Sequence, residues 1–207
     1  MIKFLEVFSP TIMETTVPKK FIDIINSIGD EILSSDTKSV QWDCSDNLVG
    51  KVSKEIKIPA HNNDDRDFII RVMRQGCLDY LKYIISKNRA SGWCKLVGEN
   101  VNPTINNIDI TSSWIVSQYA GEYNPYHYHI GNFSAVVYLK VPSKMQEEIE
   151  NEFKDHYPSN GLIEFMYGEV IDIVVSEGYP STLFSVRGGQ PYIIKHVQFI
   201  IFRTGPT

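Results

Sequence analysis

The sequence predicts a mainly β fold of the α+β class, with N-terminal helices ahead of a C-terminal β-domain of the sandwich or jelly-roll type. Three observations carry this. Apolar residues recur at helical spacing only in the first half of the chain. From Ile108 onward the texture turns to short β-branched and aromatic runs punctuated by Gly, Pro and Asn. Aromatic residues make up 12% of the chain, a usage that suits half-buried strands and aromatic-lined pockets. At 207 residues a single domain is expected over 1–207. Its helix-containing part is 1–100 and its β core 105–207, with a helical insertion near 143–156 and no linker between the parts.

Element by element, Lys3 to Phe8 reads as an opening strand. Pro18 suits the first turn of a helix, where its missing N–H has no partner to lose. Phe21, Ile24, Ile25, Ile28 and Ile32 then recur at helical spacing. Residues 36–50 are polar and turn-rich, and 56–67 read as a short strand followed by a polar loop. The strongest helix spans about 65–87. Phe68, Ile69, Val72, Met73, Leu78, Leu81, Ile84 and Ile85 form its apolar face, and Arg66, Arg71, Arg74 and Lys82 lie mostly off it. Ile108, Ile110, Trp114, Val116 and Gln118 alternate as strand residues do. Residues 133–142, 161–168, 171–178, 181–188, 191–197 and 198–203 continue the β pattern. Ser143 and Gln146 make a capping box for the insertion, whose acidic run reads as a solvated face.

Composition excludes several classes. The net charge of −5 argues against electrostatic binding of a nucleic-acid polymer. Cys44, Cys77 and Cys94 are odd in number and lack CxxC spacing, which speaks against a disulfide framework or a cysteine metal site. No run approaches the roughly 20 apolar residues of a membrane helix. The first residues lack the apolar core and cleavage site of a secretory signal. A cytoplasmic protein is expected, with no membrane partner.

The chemistry concentrates at two of the five histidines. His127 and His129 stand at i and i+2 just before an apolar strand, a spacing that puts both on one face of extended chain. Two imidazoles so placed are two legs of a metal site. With one further ligand and open positions they suit non-heme Fe(II) and oxygen chemistry. The structural alternative is a pair of loop histidines bonded to carbonyls or water. His61 reads as a surface residue, and His156 as a cation suited to a helix C-terminus.

Residues 114–142 carry a Tyr-Asn-Pro-x-His-x-His element (Tyr123, Asn124, Pro125, His127, His129). It runs into Ser-x-Val-x-Tyr-Leu-Lys-x-Pro (Ser134, Val136, Tyr138, Leu139, Lys140, Pro142). In this the chain resembles the iron(II)- and 2-oxoglutarate-dependent oxygenases, most closely a small branch seen in bacteriophages of marine cyanobacteria. Weaker echoes lie at 42–59, 77–81, 161–168 and 184–186, so the resemblance covers roughly 40–186. It implies a double-stranded β-helix, a jelly roll with helices packed on one side. It also implies Fe(II) in a facial triad, 2-oxoglutarate chelating the metal, and O2 oxidising a second substrate, commonly by hydroxylation. His127 and His129 match the motif as metal ligands. Tyr138 falls near the pocket wall, either as a contact of the co-substrate carboxylate or as core packing. Phage origin would place the protein in the host cytoplasm.

The sequence departs from that family in two places. His129 stands where the wider family has Asp or Glu, a trait this branch shares. A neutral imidazole there leaves the site one negative charge short and weakens Fe(II) binding. After Phe184-Ser185-Val186, the family's Gly-Asp, Phe-Pro and Glu-Arg-Arg-Ser elements give way to VRGGQPYIIKHVQFIIFRTGPT. In one reading this tail is a shortened form of the last strands. His196 is then the third ligand, and Arg203, or else Arg187, forks onto the 2-oxoglutarate carboxylate. In the other, the centre is incomplete and the protein is a jelly-roll binding or structural module. A cupin-like enzyme using another metal and no 2-oxoglutarate is a third reading.

Overall fold

Two amphipathic helices supply the apolar layer under the sheet. The computed structural model describes residues 2–6, 11–47, 50–59, 64–88, 102–119, 121–125, 127, 133–141, 163–166, 172–175, 182–186 and 197–204. Helix α1 (Lys19–Leu33) starts from Pro18, whose carbonyl accepts from Phe21 N at 2.9 Å, and it buries Phe21, Ile25 and Ile32. Helix α2 (Asp36–Trp42) starts from Ser35, whose hydroxyl accepts from Lys38 N at 3.4 Å. Helix α3 (Asp64–Ser86) opens on Asp64, Asp65 and Asp67, whose charges suit the positive end of the helix dipole. Ile69, Met73, Cys77, Tyr80, Leu81 and Ile84 recur three and four apart and are buried. The helix is closed by Asn88, left-handed at φ 54°, whose N–H donates to Ile85 O at 2.9 Å.

The long helix thus lies within a residue of its expected bounds. Helix α2 falls in the stretch read as polar and turn-rich. It buries no residue fully, so no apolar stripe announces it in the sequence.

The strands are β1 (Lys3–Glu6), β2 (Thr11–Thr15), β3 (Lys54–Lys57), β4 (Ile110–Gln118), β5 (Phe133–Lys140), β6 (Ile163–Met166), β7 (Asp172–Val175), β8 (Thr182–Val186) and β9 (Val197–Thr204). Seven of them form one mixed sheet in the order β1-β2-β8-β5-β9-β4-β3, and β6 pairs with β7. β9 runs parallel to both its neighbours, while the other ladders are antiparallel. Its sequence, VQFIIFRT, is the near-continuous apolar run expected of a central parallel strand.

Alternation along β5 sorts the two faces of the sheet. Phe133, Ala135, Val137 and Leu139 join Met13, Ile56, Ile115 and the buried residues of α1 and α3 in the main core. Tyr80 meets Phe133 edge-on at 5.8 Å, and its hydroxyl donates to Thr11 O at 2.7 Å. On the other face Trp114, Val116 and Val136 form a second apolar cluster, with Cys44, Val52, Tyr138 and Ile163 packed against it. The insertion expected near 143–156 lies outside the described residues, as do Cys94, His61 and His156. Among the described residues no helix is long and apolar enough to cross a membrane.

Candidate functional site

The segment that carries His127 is held by a clamp between the ends of β3 and β4. After Gln118 the chain turns, with Glu122 N donating to Tyr119 O at 3.1 Å. The Glu122 carboxylate ties the turn down, accepting from Tyr119 N at 2.8 Å and from Ser53 N at 3.0 Å. Partial burial opposes ionisation of Glu122, but the bonds to Ser53 and Tyr119 outweigh it and hold the carboxyl below its usual range. Gln118 Nε2 donates to Glu122 O at 2.7 Å, so this side chain braces the turn. Tyr123 and Lys51 then exchange both backbone hydrogen bonds, at 3.2 and 2.8 Å.

Gly50 makes the close approach of these segments possible. Its φ is +118°, and a Cβ there would lie 2.1 Å from Asn124 Oδ1 and 2.8 Å from Tyr123 O. Only glycine tolerates both the conformation and the contact.

His127 is exposed, and its Nδ1 lies 2.7 Å from Pro125 O. A carbonyl can only accept, so Nδ1 carries a proton, and in a neutral imidazole the lone pair is then on Nε2. That is the state in which an imidazole ligates a metal through Nε2 while a backbone carbonyl fixes its ring. His129 and His196 lie outside the described residues. Among the described residues no group of three His, Cys, Asp or Glu is placed to hold a metal ion.

Tyr138 is half-buried beside the Trp114 cluster, and burial pushes its phenol above the ordinary range. It is therefore a neutral hydrogen-bonding group at any physiological pH. Across the ladders, Val116 and Tyr138 both stand beside Phe202, whereas Arg203 stands beside Ser117 and Lys140. Tyr138 and Arg203 thus occupy neighbouring rows, not one row. Trp114 is 7% exposed and belongs to the apolar cluster.

Sequence reasoning missed Glu55. In the strand KEIK it reads as a solvent-facing charge on either side of one apolar residue. Pairing with β4 sets it beside Val116 instead, and it is 3% exposed. Its N–H donates to Ser45 Oγ at 3.3 Å, and its carbonyl accepts from Cys44 N at 2.9 Å and from Cys44 Sγ at 3.3 Å. Burial, then the charges of Asp43 and Glu122, push its carboxyl up to about 7. Burial, then the Glu55 charge, pushes the Cys44 thiol up to about 11, which makes it a poor nucleophile.

This carboxyl has a consequence for stability. Between its ordinary value of 4.5 and about 7, the folded state keeps the proton that the unfolded state releases. Its contribution therefore falls as pH rises through that window and is flat above it. Glu55→Gln is expected to remove this loss, which urea unfolding at pH 4.5, 6 and 7.5 would detect as a flatter profile. An unchanged profile would contradict the assignment.

No family model matches the chain, and no curated protein and no solved structure matches it.

Proposed function

We propose that the protein is an Fe(II)- and 2-oxoglutarate-dependent oxygenase that hydroxylates a second substrate. The observation that carries the reading is His127, whose ring is oriented by the Nδ1 bond to Pro125 O within the motif that resembles this family; Nε2 would be its ligating atom. His127, His129 and His196 would hold the metal. When bound, Fe(II) and 2-oxoglutarate would supply the oxidising chemistry, with 2-oxoglutarate losing CO2 to become succinate as one oxygen atom of O2 enters it and the other enters the second substrate. The chain's own residues bind and orient. Tyr138 donates a hydrogen bond to the co-substrate carboxylate, and Arg203 neutralises it. Trp114, Val116 and Val136 keep that face of the sheet dry.

Supplied with Fe(II), 2-oxoglutarate and O2, the purified protein is expected to form succinate slowly even without its second substrate. His127→Ala is expected to stop this. A rate no higher than that of heat-denatured protein would exclude catalysis. One observation favours the rival reading of a jelly-roll module without catalysis, namely that Tyr138 and Arg203 fall in separate rows of the sheet.

A further inference from the structure

We propose that Glu122 latches the His127-bearing segment to the 50–53 segment, and that the two part as one unit when its carboxylate lets go. One carboxylate spans the junction with an oxygen to each side. Oε2 accepts from Tyr119 N at 2.8 Å within its own turn, and Oε1 accepts from Ser53 N at 3.0 Å, 69 residues away in the chain. Gln118 Nε2 and the Lys51–Tyr123 backbone pair close the same junction. Bonds to a carboxylate are the stronger, charge-assisted kind, so the largest single share of the hold falls to Glu122.

The junction is held by hydrogen bonds and not by packing. Lys51, Ser53, Tyr119, Gly121 and Tyr123 are exposed. Among the described residues of 50–53 and 119–127, none belongs to the buried core, and only Val52 packs in part against the Trp114 cluster. Bonds so near solvent lie at the low-stability end of a structure. Asn124 adds a bias toward opening. Its Oδ1 is buried with no hydrogen-bond partner, 2.1 Å from where a Cβ of Gly50 would lie. An unpaired buried acceptor is costly in the closed arrangement, and water satisfies it once the segments separate. Gly50 at φ +118° and Gly121 at φ +79° stand on the two sides of the junction and absorb the backbone rotation that parting requires.

Parting reaches His127 along the chain. Tyr123 is paired to Lys51, Pro125 lies two residues on, and Pro125 O orients the His127 ring from 2.7 Å. With the latch shut, that carbonyl has a fixed place and holds the proton on Nδ1. With the latch released, the ring is free to take the other neutral tautomer. The latch thus sets the fraction of molecules in which His127 is oriented as a ligand, and a fractional population weakens apparent affinity in proportion. That meaning rests on the oxygenase reading, whereas the latch itself is measured without metal.

Hydrogen exchange of the metal-free, full-length protein tests it. In the unaltered protein the amides of Lys51, Ser53, Tyr119 and Tyr123 are expected to share one opening, with the same protection and the same urea dependence. Glu122→Gln keeps the shape but loses the charge and one acceptor. It is expected to speed exchange at all four amides by about 10-fold or more, while the core amides of β4 and β5 keep their rates. In the same variant the ring nitrogen resonances of His127 are expected to move from the Nδ1–H form toward a mixture of both tautomers. Unequal protection in the unaltered protein, a change confined to Tyr119 and Ser53, or an unmoved ring signature would overturn the latch. The first of these measurements needs no variant, so it decides even where Glu122→Gln fails to fold. A shared opening in a protein that gives no visible Fe(II)–2-oxoglutarate band leaves the latch and sinks the oxygenase. Unequal protection beside such a band sinks the latch and leaves the oxygenase.

Discussion

His127→Ala is expected to abolish Fe(II) retention while leaving the fold intact. The residue is exposed and its Nδ1 bonds a carbonyl two positions away in the same loop, so the change belongs with surface substitutions that alter stability by about 0.5 kcal/mol or less. Loss of groups that merely orient a ligand costs about 10–100-fold in metal affinity, and loss of the ligand itself costs more. Metal content after gel filtration, read beside a urea melt, checks both halves. A variant that keeps its iron would remove His127 from the centre. A variant that loses iron because it unfolds would place His127 in the scaffold.

Gly50→Ala is expected to do the opposite, damaging the fold first and the site through it. At φ +118° an L side chain is strained by about 1–3 kcal/mol. The new Cβ would also press on Asn124 Oδ1, which can swing away, and on Tyr123 O and Asn124 Cα, which are backbone and cannot. Relief requires the Lys51–Tyr123 bonds to open, for a total of about 3 kcal/mol or more. Gly121 is the internal control. Its φ is +79° and no atom lies within 4 Å of a Cβ there, so Gly121→Ala carries conformational strain alone, about 1–2 kcal/mol. The urea midpoints of the two variants check the comparison. Equal losses would mean that the clamp between the 50–53 segment and the His127 loop is not a constraint.

The parts of the fold written in local periodicity were legible. The stripe from Ile69 to Ile84 predicts α3, and the β-branched, aromatic run over 133–142 predicts β5, whose two faces are sorted only by the clusters they join. Helix α2 was not legible, because Ser35 caps a helix with no buried stripe. Strand β2 was missed because Thr11, Ile12 and Met13 are all buried, so TIMET shows no clean alternation. The order of the strands depends on pairings between residues far apart in sequence. Nothing near Val197–Thr204 announces that β9 enters between β4 and β5. The same holds at the site. His127 is visible from its motif, but Glu55 becomes a buried acid only once β3 lies against β4. The separation of Tyr138 from Arg203 follows from register, which the sequence spacing of those two residues does not encode.

The most direct test of the proposed function is an anaerobic titration of the apoprotein with Fe(II) and 2-oxoglutarate, followed by visible absorption. A metal-to-ligand charge-transfer band is expected that saturates with both components and disappears in His127→Ala and in His196→Ala. A folded protein that gives no band would contradict the proposed function and return the chain to the reading of a binding module without a catalytic centre.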